Sequence, residues 1–239
     1  MKPSWELLDE GTRLYRAEYS VGYGGRASSY AFGLESLGSS TQPALALISP
    51  PAGWAGVELF DQLKELGDVQ LLVAPNGLHR LGLPEATRRY PHATVFAPAP
   101  WLARVRKVVP GARPLRQAAS LLPQHVELTE LPHMKRAEAF MRLRTERGTA
   151  WYLNDVVTNI QALPEGLVGF LFDAMGFREG LALNTTNCRF VTRAIQPDWR
   201  DWLSSELRNE PPALFLPGHG PPITGDPRRL QELVSRTGS

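Results

Sequence analysis

A chain of 239 residues with 43% hydrophobic and 21% charged residues can bury a sizeable core, and it suits one globular domain over residues 1–239. Its formal net charge of +2 is too small to indicate nucleic-acid or membrane-surface partners. The single cysteine, Cys188, excludes an intramolecular disulfide and any cysteine-based zinc knuckle.

The N-terminal MKPSWELLDEG has no apolar run of signal-peptide type, and no later run approaches membrane-spanning length, so the expected location is the cytoplasm. The opening third alternates as β structure does, in WELLDEG, RLYRAEYS, SYAFGL and ALALIS. GYGGRASS, residues 22–29, lacks the spacing of a nucleotide-binding loop and reads as a hairpin or mobile loop. ESLGSSTQP, residues 35–43, is a polar connection between strands. WAGVELFDQLKELGD then carries a helical stripe of Val57, Leu59, Phe60, Leu63 and Leu66, closed by Gly67.

A buried strand VQLLVAP follows, then a helix around LPEATRRYP and a strand ATVFAP. This strand–helix–strand rhythm predicts α/β architecture. A helix is expected over residues 101–108, with the basic stretch 103–116 as a solvated face and loop. HVELTELP reads as a strand. EAFMRLRTERGTAWYLND reads as a hairpin turning at ERGT. Residues 160–193 suit a lid with short helices, in which Phe170, Phe172, Phe177 and Met175 line either a pocket mouth or the core. The chain closes with a helix PDWRDWLSSELRNE, a strand ALFLP, the turn GHGPP and a helix in 225–236. Trp199 and Trp202 suit either the core or a homodimer interface. The pattern as a whole suggests two sheets packed face to face with helices outside.

Five histidines occur. His92 and His125 precede or begin strands and read as structural or surface residues. The other three follow apolar strands: His79 in LLVAPNGLH, His133 in VELTELPH and His219 in ALFLPGH. Asp155 ends AWYLND in the same manner. Imidazoles and a carboxylate at strand C-terminal ends suit a metal site, because an α/β sheet places its binding crevice there. Cys188, with no base nearby in sequence, reads as a buried thiol.

These segments resemble the metallo-β-lactamase superfamily over most of the chain. LPGHGPP is similar to the family's closing Pro-Gly-His-Gly-Pro, LPH to its Pro-Gly-His, LND to its Gly-Asp, and ISPPAG stands where it often has an aspartate-bearing strand end. The family's His-x-His-x-Asp-His is degenerate here. One register of VAPNGLHRLGLP puts Ala74 and Asn76 at the first two histidines, Leu78 at the aspartate and His79 at the last histidine. The other starts at Asn76 and leaves His79 in a spacer position. The resemblance implies a four-layer αββα sandwich of two mixed β-sheets with outer helices.

In the first register it further implies a hydrolase with a reduced, one-metal site for zinc, iron or manganese. His79, Asp155 and His219 are the implied ligands, His133 lies adjacent, and Asp155 and His133 take catalytic roles. A metal-held hydroxide would attack an ester, thioester, amide or phosphoester of a small-molecule substrate. Leu78 in place of the aspartate leaves a second reading open: an inactive, metal-free relative that binds a small ligand or partner. An Arg80–Asp155 salt bridge would then stand where the metal was.

Overall fold

The computed structural model of the chain describes residues 2–22, 25–35, 42–195, 197–224, 229, 230 and 232. Strands β1 (Trp5–Asp9), β2 (Leu14–Gly22), β3 (Gly25–Gly33), β4 (Ala44–Ile48), β5 (Asp68–Val73), β6 (Thr94–Ala97) and β7 (Arg113–Pro114) form one sheet in sequential order. Pairing is antiparallel from β1 to β4 and parallel from β4 to β7. β8 (Val126–Glu130), β9 (Ala139–Thr145), β10 (Gly148–Leu153), β13 (Leu214–Pro217) and β14 (Ile223–Thr224) form the second sheet, ordered β14-β13-β10-β9-β8. It too is mixed, because β10 and β13 run parallel. β11 (Val157–Ile160) and β12 (Gly180–Leu183) make a small third sheet.

The side-chain period of two in a strand explains the layering. In β4, Ala44, Ala46 and Ile48 join the core between the two large sheets, while Leu45 and Leu47 face outward. Ala150 and Tyr152 of β10 likewise face in, and Trp151 and Leu153 face out. Helices α1 (Gly53–Leu66) and α2 (Leu83–Arg89) cover the first outer face through Phe60, Leu63, Leu83 and Ala86.

The third and fourth helices, α3 (Leu102–Val105) and α4 (Gly166–Ala174), are short. α5 (Asp198–Asn209) covers the second outer face with Trp199, Leu203 and Leu207, a spacing of four that sets all three on one side. Each such burial stabilises by about 1.5–3 kcal/mol. The result is an αββα sandwich, as the residue pattern predicts.

Several local expectations change. Val57 is 38% exposed, and the buried stripe of α1 runs through Gly56, Leu59, Phe60 and Leu63. The helix expected over 101–108 is a 3₁₀ turn, Ala99–Trp101, followed by the short α3, after which Val108 and Val109 both donate to the Val105 carbonyl. Within 22–29, Gly22 ends β2 and residues 25–29 belong to β3, which pairs antiparallel with it, while 23 and 24 lie outside the described residues. The 35–43 connection and the C-terminal helix fall largely outside the described residues. Trp199 is fully buried and Trp202 stacks edge-on with Phe140, so this helix face belongs to the chain's own core. Among the described residues no helix is long and apolar enough to cross a membrane.

Candidate metal centre

The site lies where β5, β10 and β13 end. β13 finishes at Pro217, and the turn behind it is stitched to both sheets. The Gly218 N–H donates to the Leu153 carbonyl of β10 at 3.1 Å, and the Gly218 carbonyl accepts from the Ser28 N–H of β3 at 2.8 Å. Tyr30 Oη, also on β3, donates to the Pro217 carbonyl at 2.8 Å. A side chain at 218 would meet Asn154 Oδ1 at 2.4 Å. At 220, φ is +99° and a Cβ would sit 1.7 Å from the Asn159 carbonyl. Both flanking glycines are therefore required, and they fix His219 between them.

His219 Nδ1 lies 2.7 Å from the Arg26 carbonyl. A carbonyl only accepts, so this nitrogen carries the hydrogen and Nε2 points inward. Nε2 is 3.1 Å from Asp155 Oδ1, and His79 Nε2 is 3.0 Å from the same oxygen. The far nitrogen of His79, Nδ1, bonds Ser49 Oγ at 2.8 Å. Ser49 sits just past β4 with φ +55°, its carbonyl accepting from Ser29 Oγ at 2.5 Å. These outer contacts hold both imidazoles in one orientation, as metal-ligand histidines are commonly held.

Asn76 organises the other side. Its Oδ1 accepts from the backbone N–H groups of Leu78 (2.8 Å) and His79 (3.1 Å), which shapes the loop after β5. Its Nδ2 donates to Asp155 Oδ2 at 2.7 Å and to Glu138 Oε1 at 2.9 Å. Glu138 Oε2 in turn accepts from the Asp155 N–H at 2.9 Å. All four hydrogen-bonding positions of this fully buried amide are used. The two acids diverge, for reasons of burial and neighbouring charge. Burial pushes the Glu138 carboxyl above its usual range, and the neighbouring Asp155 charge pushes it further. Burial opposes ionisation of Asp155 as well, but His79 and His219 overcome it and hold that carboxyl well below the usual range. Burial works against charge on His219, and Asp155 with the Arg26 carbonyl reverses it, so the imidazole is raised.

Of the four residues proposed from sequence, the structure brings three together. Ligand atoms of His79, Asp155 and His219 all lie within 4.8 Å of one another. His133 is not adjacent to them, which corrects the sequence reading. It is exposed, with φ +56°, and its carbonyl accepts from Ile195 N–H at 2.7 Å. The loop after β8 closes where the Leu131 N–H donates to the Glu138 carbonyl, so the residue returned to the interior is Glu138. Arg80 donates to the Gly77 carbonyl, and among the described residues no ion pair joins it to Asp155. Sequence reasoning missed Glu138, whose one signal is an acid directly before the apolar strand AFM. Ser49 was signalled faintly by the strand-end position of ISPPAG.

The donor set fits a divalent cation. With hydrogen on Nδ1, neutral His219 presents a lone pair to a carboxylate oxygen, and positive charge must lie between them. A second proton supplies it, and so does a metal held by two imidazoles and one carboxylate. A cavity of about 630 Å³ opens onto this cluster, walled by Tyr19, Val21, Trp54, Leu78, Leu81 and Phe177 among others. Phe177 packs edge-on against His219, with ring centroids 5.4 Å apart.

No protein-family model matches the chain, and no curated protein matches it in sequence. Solved structures do match. A flavo di-iron protein variant from Thermotoga maritima aligns with a TM-score of 0.60 at 14% identity, covering 98% of this chain and 61% of that one. The metallo-β-lactamase DIM-1 aligns at 0.60 and 13% identity, covering 100% and 99%. The metallo-β-lactamase FIM-1 from Pseudomonas aeruginosa, in its mono-zinc form, aligns at 0.56 and 12%, covering 99% and 94%. The chain spans about three-fifths of the flavo di-iron chain and nearly all of the two lactamases. It has the metallo-β-lactamase fold.

Proposed function

We propose that this chain of metallo-β-lactamase fold is a hydrolase that holds one divalent cation, zinc foremost and iron or manganese next, between His79 Nε2, His219 Nε2 and Asp155. One observation carries the reading: two imidazoles, anchored through their far nitrogens, face one ionised carboxylate oxygen at 3.0 and 3.1 Å. Solved neighbours of the same fold include both a mono-zinc form and a di-iron protein, so the single ion is argued from this chain's own donors.

When bound, the ion supplies Lewis acidity and draws a nucleophile from water at about neutral pH. The protein's part is positional. Ser49 and the Arg26 carbonyl keep both Nε2 atoms aimed inward, and Asp155 balances part of the ion's charge. The Asn76 amide lies between Asp155 and Glu138 and already satisfies both acids, which supports one ion over two. Leu78 offers no carboxylate, so Asp155 is the one acid on the cavity wall among the described residues.

Metal content measured on protein purified without chelator or immobilised nickel tests this. About one equivalent is expected, lost in both His79→Ala and His219→Ala. Absence of metal, with no uptake of added Zn²⁺, Fe²⁺ or Mn²⁺, refutes it and favours the metal-free binding module, in which the same 3.0–3.1 Å contacts are hydrogen bonds.

A further inference from the structure

We infer that the cavity above His79, Asp155 and His219 selects neutral carboxylic esters bearing an apolar chain and rejects phosphoesters and charged acyl groups. The inference deepens the hydrolase reading and rests on it for catalysis, though not for binding.

Charge makes the first part of the case. Among the described wall residues the ionisable groups are His79, His219, Asp155 and Tyr19, with no lysine or arginine. An anionic substrate would have to draw on the bound ion alone, whose charge Asp155 partly offsets, because among the described wall residues no second cation stands beside it to replace the water shell. Nearby guanidiniums are committed elsewhere: Arg80 donates to the Gly77 carbonyl, and Arg26 pairs with Glu18 at 2.8 Å.

Shape and surface make the second. The cavity lies within the size range of small-molecule sites. Its mouth displays apolar side chains that the fold leaves uncovered: Trp54 is 90% exposed and Leu81 70%, with Val21 and Leu78 partly so. Trp54 stands in the first turn of α1 and Leu81 in the loop before α2, so the strip borders the cavity on the side of the His79 loop. Phe177 lies over His219 and packs with Phe172, which reaches Val21 of β2 and Gly25 of β3. An acyl or alkyl chain laid along this strip places a carbonyl at the His–Asp–His cluster, the charged part of the described wall, with the Tyr19 and Ser20 hydroxyls as further polar groups. In hydrolysis, the water oxygen bonds to the acyl carbon as the acyl–alkoxy bond breaks. The alkoxy oxygen leaves with one water proton, and the second is released when the product acid ionises.

Binding to the metal-free protein tests the inference apart from turnover. Hexanamide, octanamide and decanamide would be titrated against intrinsic tryptophan fluorescence, with octyl phosphate for comparison. Each added methylene should tighten Kd about threefold to fourfold, and octyl phosphate should bind more weakly than octanamide. Trp54→Ala and Leu81→Ala, both at exposed positions, should flatten the gradient. Affinities independent of chain length, or octyl phosphate binding the tighter, would overturn the inference.

In a second arm, the metal-loaded protein is given 4-nitrophenyl acetate, butyrate and octanoate, the hemisuccinate ester and 4-nitrophenyl phosphate. Cleavage with kcat/KM rising along the neutral series supports both readings. Cleavage without that rise, or best with the phosphate, leaves the hydrolase standing and overturns the substrate class. A binding gradient with no cleavage of any ester supports the cavity's preference and overturns the hydrolase.

Discussion

Replacing Asn76 by aspartate changes one NH₂ to oxygen and leaves the shape of the side chain intact. In the native protein the amide donates to Asp155 Oδ2 at 2.7 Å and to Glu138 Oε1 at 2.9 Å. In Asn76→Asp those two contacts become oxygen against oxygen, while the bonds from the Leu78 and His79 N–H groups survive. The bond to ionised Asp155 contributes about 1.5–3 kcal/mol and the bond to Glu138, whose raised carboxyl favours the neutral form, about 0.5–1.5, so the loss is about 2–4.5 kcal/mol before charge repulsion with Asp155 is added. That is a large part of the ~5–15 kcal/mol holding a typical domain together.

The sign of its pH dependence follows. Burial and neighbouring carboxylates raise the folded-state pKa of the acid at 76 above its unfolded value of about 3.9. Such an acid costs stability as pH rises above the unfolded value, and the cost levels off only above the folded pKa. Urea unfolding of metal-stripped wild type and variant at pH 5.5 and 7.5 reads this directly. The deficit should be larger at pH 7.5. Millimolar Mg²⁺ or Ca²⁺ should restore part of it, because a hard cation takes the place of the lost donor. Equal midpoints at pH 7.5, or a deficit indifferent to pH, would refute the account of Asn76 as a bridge between two acids.

Other expectations are simpler to test. Gly220→Ala should lower stability by about 2–6 kcal/mol in thermal melting, since the new methyl meets the Asn159 carbonyl and the backbone is left-handed. Ser49→Ala should weaken Zn²⁺ binding about tenfold in a chelator competition by freeing the His79 ring; an unchanged Kd would show that the 2.8 Å contact does not orient it. His133→Ala should leave metal stoichiometry unaltered and stability within about 0.5 kcal/mol, as its side chain is exposed. Cys188 is buried and its thiol is pushed up to about 12, chiefly by that burial, so disulfide reagents at pH 8 should label it only as fast as the chain opens.

The layers were legible because strands buried on both faces are written as apolar runs, ALALIS and AWYL among them. The His219 turn was legible for a related reason: the prolines and glycines that a crowded strand end demands are visible as residue types. His133 and Glu138 show where that reasoning stops. Both lie in the return between β8 and β9, and strand-end logic cannot say which of them a loop turns inward. A left-handed residue at 133 and the bond from Leu131 to Glu138 decide it, and neither leaves a periodic trace. Asn76 was noticed as a poor substitute for a histidine, whereas its worth lies in partners contributed from residues 62 and 79 positions away.

The hydrogen bonds that tie the turn after β13 to β3 carry a consequence for the order of events in folding. His219 is aimed by a carbonyl from the first sheet, while Asp155 belongs to the second and His79 to a loop of the first. No fragment confined to one sheet contains the three ligands in register. On the proposed reading, an ion would therefore be bound only once the two sheets have docked, and a fragment holding the first seven strands alone should bind no metal at this site.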